Sequence, residues 1–146
     1  MPAERRLTIT SDVEQAIRLH GQETYPHECC GFLLGRQQDG VKVVQEVWPA
    51  GNARDDSPQN RYLIPPTEML RVEKESRRRG LEILGFYHSH PDVAARPSEY
   101  DRQHAWPWYS YLIVSVRAGQ AAELNAWVAP EDDAPFAAEE LEIVGE

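Results

Sequence analysis

Apolar positions recur along the chain with two different periods, and these periods predict its helices and strands. Residues 6–10 alternate strictly, which predicts a first strand. Ser11-Asp-Val-Glu14 has the pattern of a capping box, and Val13, Ala16 and Ile17 fall on one face of a helix that continues to about Thr24. Further strands are predicted at 28–36, 41–48, 61–64, 81–90, 109–116 and 122–129, with a closing strand at 141–144, a helix from 65 to about 80 and a short helix from 98 to about 105. The chain is therefore predicted to be of the α/β class, with one mixed sheet flanked by helices.

The segment Leu81–His90 is apolar almost to its end, which is typical of a central strand covered on both faces. It ends in two histidines, His88 and His90, separated by one residue. Residues i and i+2 of a strand point to the same face, so the two imidazoles are expected to project together. Ser89 is expected to face the other way and to be structural, and Pro91 ends the strand.

A third metal ligand is predicted in the short helix that follows. Ser98 has the position of a helix N-cap, and Asp101 then lies at N3 in the first turn, where it can fold back over the end of the strand. Two histidines and one carboxylate leave a fourth position open for water, as in catalytic zinc sites. The alternative interpretation is a hydrogen-bonded polar rim in which Ser98 only caps the helix.

The complete string resembles the JAMM motif of the MPN metalloprotease family. It comprises His88-Ser-His90, seven residues, Ser98-Glu-Tyr-Asp101 and, upstream, Glu28 in the strand "ECCGFLLGR". The resemblance covers nearly the whole chain and is to the compact bacterial and archaeal type.

The resemblance implies one MPN domain over residues 1–146, with an acidic linker and C-terminal tail from residue 129. The implied fold is a curved mixed sheet flanked by helices, with an architecture like that of the cytidine deaminases. The Pro-Cys-x-x-Cys signature of those enzymes does not occur in the sequence.

The resemblance also implies a role for each residue of the motif. It assigns one Zn²⁺ per chain to His88, His90 and Asp101, general acid/base catalysis to Glu28 and an oxyanion hydrogen bond to Ser98. The capping and oxyanion roles of Ser98 are expected to compete, because a hydroxyl has one proton.

The implied activity is that of a zinc metallopeptidase in which Glu28 activates a zinc-bound water. Its implied substrate is a peptide or isopeptide bond at or near the C-terminal Gly-Gly of a ubiquitin-like β-grasp or sulfur-carrier protein. Residues 49–60 and 92–96 are the expected walls of the groove for that tail. Two other functions stay open: a non-catalytic MPN scaffold that binds a protein partner, and a zinc hydrolase of a small-molecule amide.

Composition excludes some classes of binding partner and indicates the cellular compartment. The 146-residue chain has a net charge of −9, which argues against unaided binding to nucleic acid or anionic membranes. Its two cysteines are adjacent, so no disulfide framework is expected. No apolar run is long enough to span a bilayer and the N-terminus has no signal-peptide pattern, so a cytoplasmic location is expected.

Overall fold

The computed structural model describes residues 6–50, 66–104, 106, 108–128 and 136–145. Its elements are β1 Arg6–Thr10, α1 Ser11–Thr24, β2 Cys30–Gln38, β3 Val41–Ala50, α2 Pro66–Arg78, β4 Glu82–Pro91, α3 Glu99–His104, β5 Ser110–Arg117, β6 Gln120–Val128 and β7 Ala137–Val144. The described elements lie close to their predicted bounds, except that the last strand begins four residues early. The predicted strand at 61–64, residues 129–135 of the predicted linker and most of the expected groove wall at 49–60 lie outside the described residues.

The strands form one mixed sheet in the order β1-β3-β2-β4-β5-β6-β7, and this sheet closes into a barrel. β4 pairs antiparallel with β2 and parallel with β5, so it is central, as predicted. Closure comes from the parallel pairing of β1 with β7, from Arg6 opposite Glu140 to Thr10 opposite Val144. The last strand was predicted but its pairing with β1 was not, because all β7 side chains are partly or fully exposed and the strand has little apolar pattern.

Helix α1 continues directly from β1. Its N-cap is Thr10, whose Oγ1 accepts a hydrogen bond of 3.1 Å from the Val13 N–H. The predicted capping box that starts at Ser11 is therefore wrong, because no loop separates strand and helix. The buried stripe of α1 is Val13, Ile17 and Gly21, whereas Ala16 is exposed, contrary to prediction. No described helix is both long and apolar enough to cross a membrane.

Two apolar cores cover the two faces of β4. Leu84 and Tyr87 belong to the core around α1, and Ile83 and Phe86 belong to the core beneath α2. The two-residue period of the strand continues the face of Phe86 into His88. In the C-terminal part of β4, from Phe86 onward, even-numbered side chains therefore point toward the candidate site and odd-numbered ones point toward α1.

Gly31 in β2 leaves space for the ring of Tyr87. A Cβ atom added at Gly31 would lie 2.3 Å from that ring, closer than any real contact. The Tyr87 hydroxyl reaches the Nδ1 atom of His20 on α1 at 2.8 Å. One glycine of "ECCGFLLGR" is thus required by the side chain that fills the neighbouring strand position.

Candidate metal centre and active site

The end of β4 and the first turn of α3 bring three ligand-type side chains together. His88 and His90 are 0% and 4% exposed, and the Asp101 side chain is 7% exposed. The two Nε2 atoms are 3.2 Å apart, and Asp101 Oδ2 lies 3.4 Å from His88 Nε2 and 3.2 Å from His90 Nε2. The grouping predicted from the sequence therefore exists as a compact, buried triangle.

The triangle has the size that a tetrahedral zinc site requires. Nitrogen and oxygen ligands at about 2.0–2.1 Å from zinc lie roughly 3.3 Å from one another when the angles are tetrahedral. The three separations of 3.2, 3.4 and 3.2 Å match one face of that tetrahedron. Two imidazoles and a carboxylate are also a ligand set that zinc accepts. The residues therefore fit the metal, and they leave one vertex for a further group.

The backbone fixes the orientation of the His90 ring. Its Nδ1 atom lies 2.9 Å from the carbonyl oxygen of Ala94, which can only accept, so Nδ1 carries the proton and Nε2 presents its lone pair to the centre. Burial lowers the pKa of His88, which keeps this ring neutral as a metal ligand must be. No sequence pattern could indicate Ala94, because any residue could supply that carbonyl.

Asp101 and Ser98 hold each other in a reciprocal cap at the start of α3. The Ser98 N–H donates to Asp101 Oδ2 at 2.8 Å, and the Asp101 N–H donates to Ser98 Oγ at 3.1 Å. Burial opposes the charge of Asp101, but the nearby imidazole rings and the hydrogen bond from the Ser98 N–H hold its pKa below the ordinary range. The predicted N-cap position of Ser98 is confirmed.

The expected competition between the two roles of Ser98 does not follow from this geometry. As a cap, the Ser98 hydroxyl accepts a hydrogen bond through a lone pair. Its proton is not used in that bond and can be donated to another group. One serine can therefore cap α3 and donate toward the site at the same time.

Glu28 lies just before β2 and is 7% exposed. The predicted strand began at this residue, but β2 begins at Cys30, which is the register partner of His88. The preceding backbone is tied to β4: the Cys29 N–H donates to Ser89 Oγ at 2.8 Å, and the Ser89 N–H donates to the Cys29 carbonyl at 3.2 Å. Ser89 is structural, as predicted, and it fixes the residue that follows Glu28.

Burial and then the negative charge of Asp101 raise the pKa of Glu28 from 4.5 to about 9. In the metal-free chain Glu28 is therefore protonated at neutral pH. The pKa rises because a buried carboxylate loses its hydration and is repelled by a second carboxylate nearby.

The raised pKa of Glu28 predicts a loss of stability in base for the metal-free chain. The folded state binds the proton more tightly than the unfolded state, so stability is highest below pH 4.5 and falls as pH rises toward 9. Relative to Glu28→Gln, the free energy of unfolding should fall by about 1.4 kcal/mol per pH unit between pH 5 and 8. Urea unfolding in the presence of a chelator measures both curves, and parallel curves would contradict the shift.

The site also includes groups that the sequence did not indicate. Trp127 of β6 and Phe136, just before β7, line a cleft that His90 and Ser98 share. Both lie far along the chain from the motif, and only the sheet order brings them there.

Comparison with known proteins identifies the family. A family model described as prokaryotic homologs of the JAB domain matches residues 10–130. The chain belongs to this prokaryotic JAB family. The resemblance to the JAMM motif is thereby confirmed, and so is the expected mixed α/β fold of this JAB protein.

Two curated relatives and one solved structure extend the match over most of the JAB protein. The desampylase of Haloferax volcanii is 34% identical over 131 residues, which are 86% of this chain and 91% of that protein. The probable TtuB-protein conjugate cleaving protease of Thermus thermophilus is 36% identical over 115 residues, 77% of this chain and 74% of that protein. A solution structure from Desulfitobacterium hafniense has a TM-score of 0.83 at 30% identity and covers 96% of this chain and 94% of its own. The JAB protein is a hydrolase of the same class as these curated relatives.

Proposed function

We propose that the chain is a zinc metallopeptidase that hydrolyses a peptide or isopeptide bond at or near the C-terminal Gly-Gly of a ubiquitin-like or sulfur-carrier protein. The observation that carries the proposal is the buried triangle of His88, His90 and Asp101, whose dimensions fit a zinc ion. The Thermus relative, a probable TtuB-protein conjugate cleaving protease, supports this class of substrate.

In this proposal His88, His90 and Asp101 hold one zinc ion per chain. Bound zinc supplies Lewis acidity, which lowers the pKa of coordinated water and polarises a carbonyl group. Glu28 takes a proton from the attacking water and returns one to the leaving amine. A bound zinc ion would lower the pKa of Glu28 from about 9 toward neutral through its positive charge, so that the carboxyl could both accept and return a proton.

Ser98 is proposed to donate its hydroxyl proton to the oxyanion, since its cap occupies only a lone pair. Ser98→Ala is expected to reduce kcat by about 10²–10³-fold, whereas loss of the cap costs about 1 kcal/mol of folding stability. Steady-state kinetics and thermal unfolding of the same preparation measure the two effects. A fall in kcat no larger than tenfold would leave Ser98 with the capping role alone.

The burial of the centre favours a slender substrate. Its three ligand side chains are no more than 7% exposed, so a bulky segment has little room beside them. A Gly-Gly tail is extended and lacks side chains, and it can pair with backbone groups along a groove. Within the predicted wall 92–96, Val93, Ala94 and Arg96 do line a cleft next to His90.

The net charge of −9 supports a protein partner over nucleic acid or an anionic membrane. The cytoplasm is the proposed location, which the two free, adjacent cysteines support. One MPN domain across residues 1–146 is the proposed organisation.

Incubation of the zinc-loaded chain with β-grasp carriers tests the function. One set of substrates extends past Gly-Gly by a few residues, and a second set carries the Gly-Gly carboxyl on a lysine side chain. Product masses should show cleavage directly after the second glycine in at least one set. Stoichiometric zinc with no cleavage in either set would contradict the proposal and favour a scaffold role, and cleavage of small amides alone would favour the small-molecule hydrolase.

A further inference from the structure

An open cleft of about 650 Å³ begins at the candidate centre and runs between the β4–α3 loop and the last strands. Its described lining residues are His90, Val93, Ala94, Arg96, Pro97, Ser98, Arg102, Trp127 and Phe136. Because His90 and Ser98 belong to the site, a substrate bound there can extend into the cleft. The volume is within the range of about 300–1,000 Å³ that is usual for ligand sites.

The wall of this cleft is held in one conformation by its own carbonyl groups. The carbonyls of three consecutive residues, 93 to 95, all accept hydrogen bonds from side chains of the sheet. The donors are Ser115 Oγ at 2.6 Å for Val93, His90 Nδ1 at 2.9 Å for Ala94, and Asn125 Nδ2 at 3.2 Å with Trp127 Nε1 at 3.1 Å for Ala95. Arg96 follows this clamped segment directly, so it is presented to a ligand with little further ordering of the backbone.

The cleft is locally cationic although the chain is acidic overall. Arg96 and Arg102 line it, and no carboxylate occurs among its described lining residues. Arg102 does contact Glu99 at 3.6 Å, but both side chains are more than half exposed. This ion pair therefore contributes little to stability, and Arg102 can pair with a substrate carboxylate instead. Glu139 lines a neighbouring pocket of about 330 Å³ that shares Arg96 with the cleft.

We propose that this cleft is a carboxylate subsite, in which Arg96 and Arg102 bind a carboxyl group of the substrate segment next to the scissile bond. A guanidinium group matches a carboxylate in a bidentate geometry. The rings of Trp127 and Phe136 supply apolar walls for the segment that carries the carboxylate. The inference rests on the proposed peptidase function and adds a substrate class to it: chains with a free terminal carboxyl, or with an acidic side chain, close to the cleaved bond.

Matched peptides distinguish these two sources of the carboxylate. The probe Ala-Leu-Gly-Gly-Ala-Ala is made with a free C-terminus and with an amide, and amide-capped versions carry aspartate or asparagine on either side of Gly-Gly. Binding is measured by calorimetry with the zinc-loaded Glu28→Gln variant, and cleavage with the parent chain. One added carboxylate should tighten binding by about tenfold, as for a charge-assisted hydrogen bond.

Substitutions of Arg96 test whether the preference for a carboxylate arises in the cleft. Arg96→Gln should remove most of the preference for the carboxylate, and Arg96→Lys should restore part of it, because lysine keeps the charge without the planar fork. Arg78→Gln is the matched control, since that side chain is 78% exposed on α2 and lies outside the cleft. It should keep the full preference.

The outcomes separate this inference from the proposed function. A preference for the free terminus assigns the subsite to an α-carboxylate, and a preference for aspartate over asparagine assigns it to an acidic side chain. Equal binding of all peptides, or the same loss in Arg96→Gln and Arg78→Gln, would overturn the subsite even if cleavage occurs. A clear preference without cleavage by the parent chain would instead contradict the peptidase function and leave the subsite standing.

Discussion

Glu28→Gln is expected to keep stoichiometric zinc and to lose cleavage by about 10²–10⁴-fold or more. Glutamine has the shape of the protonated glutamate, and in the metal-free chain Glu28 is protonated at neutral pH because burial and Asp101 raise its pKa. The substitution should therefore leave the packing before β2 unchanged. It removes only the capacity to accept and return a proton. Elemental analysis and kcat on a cleaved carrier, measured on the same preparation, test both halves of the prediction.

Glu82→Gln is the matched control for this variant. Glu82 begins β4 but is exposed, so its substitution should change neither zinc content nor kcat. A Glu28→Gln protein that cleaves as fast as the parent would show that another group moves the proton. Loss of zinc together with activity would show that Glu28 supports the metal.

Asp101→Ala should lose the metal itself. The carboxylate supplies one corner of the ligand triangle and lies 3.2 Å from His90 Nε2. Loss of even an outer-shell partner typically weakens metal binding by 10–100-fold, so removal of a direct ligand should weaken it by about 100-fold or more. Competition with a chromogenic chelator gives the affinity, and cleavage should fall in proportion to occupancy.

Ser98→Ala is the control that separates ligation from capping. Asp101 and Ser98 are the two halves of one reciprocal cap, so either substitution disturbs the start of α3. Both variants should therefore lose similar folding stability, about 1 kcal/mol, in the presence of a chelator. Only Asp101→Ala should lose zinc. Full zinc occupancy in Asp101→Ala would remove Asp101 from the ligand set.

The ligand triangle could be predicted because it follows from local rules. The two-residue period of a strand places His88 and His90 on one face, and the cap pattern places Asp101 in the first turn of a helix. The position of Glu28 depends instead on the register of β2 against β4, which pairs Cys30 with His88. That register is a long-range property, so the residues alone did not locate Glu28 beside the centre, and only the family resemblance indicated its role.

Other features could not be predicted because their sequence signal is weak or distant. β7 closes the barrel through backbone pairing with β1, and its side chains carry little apolar pattern. The cleft beside His90 combines Arg96 with Trp127 and Phe136, which the sheet order alone brings together. The wrong N-cap of α1 has a local cause: Thr10 serves as the last strand residue and as the cap at once.

At the C-terminal end of β4, the side chains on the two faces of the strand have different roles. His88 and His90 point to the centre, while Ser89 points away and holds the backbone of Cys29, the residue after Glu28. The position of Glu28 relative to the ligand triangle is therefore set in part by a side chain that belongs to neither. A larger residue at position 89 would push the two apart while every functional group remained present, so an intact motif in a related chain does not by itself guarantee an active enzyme.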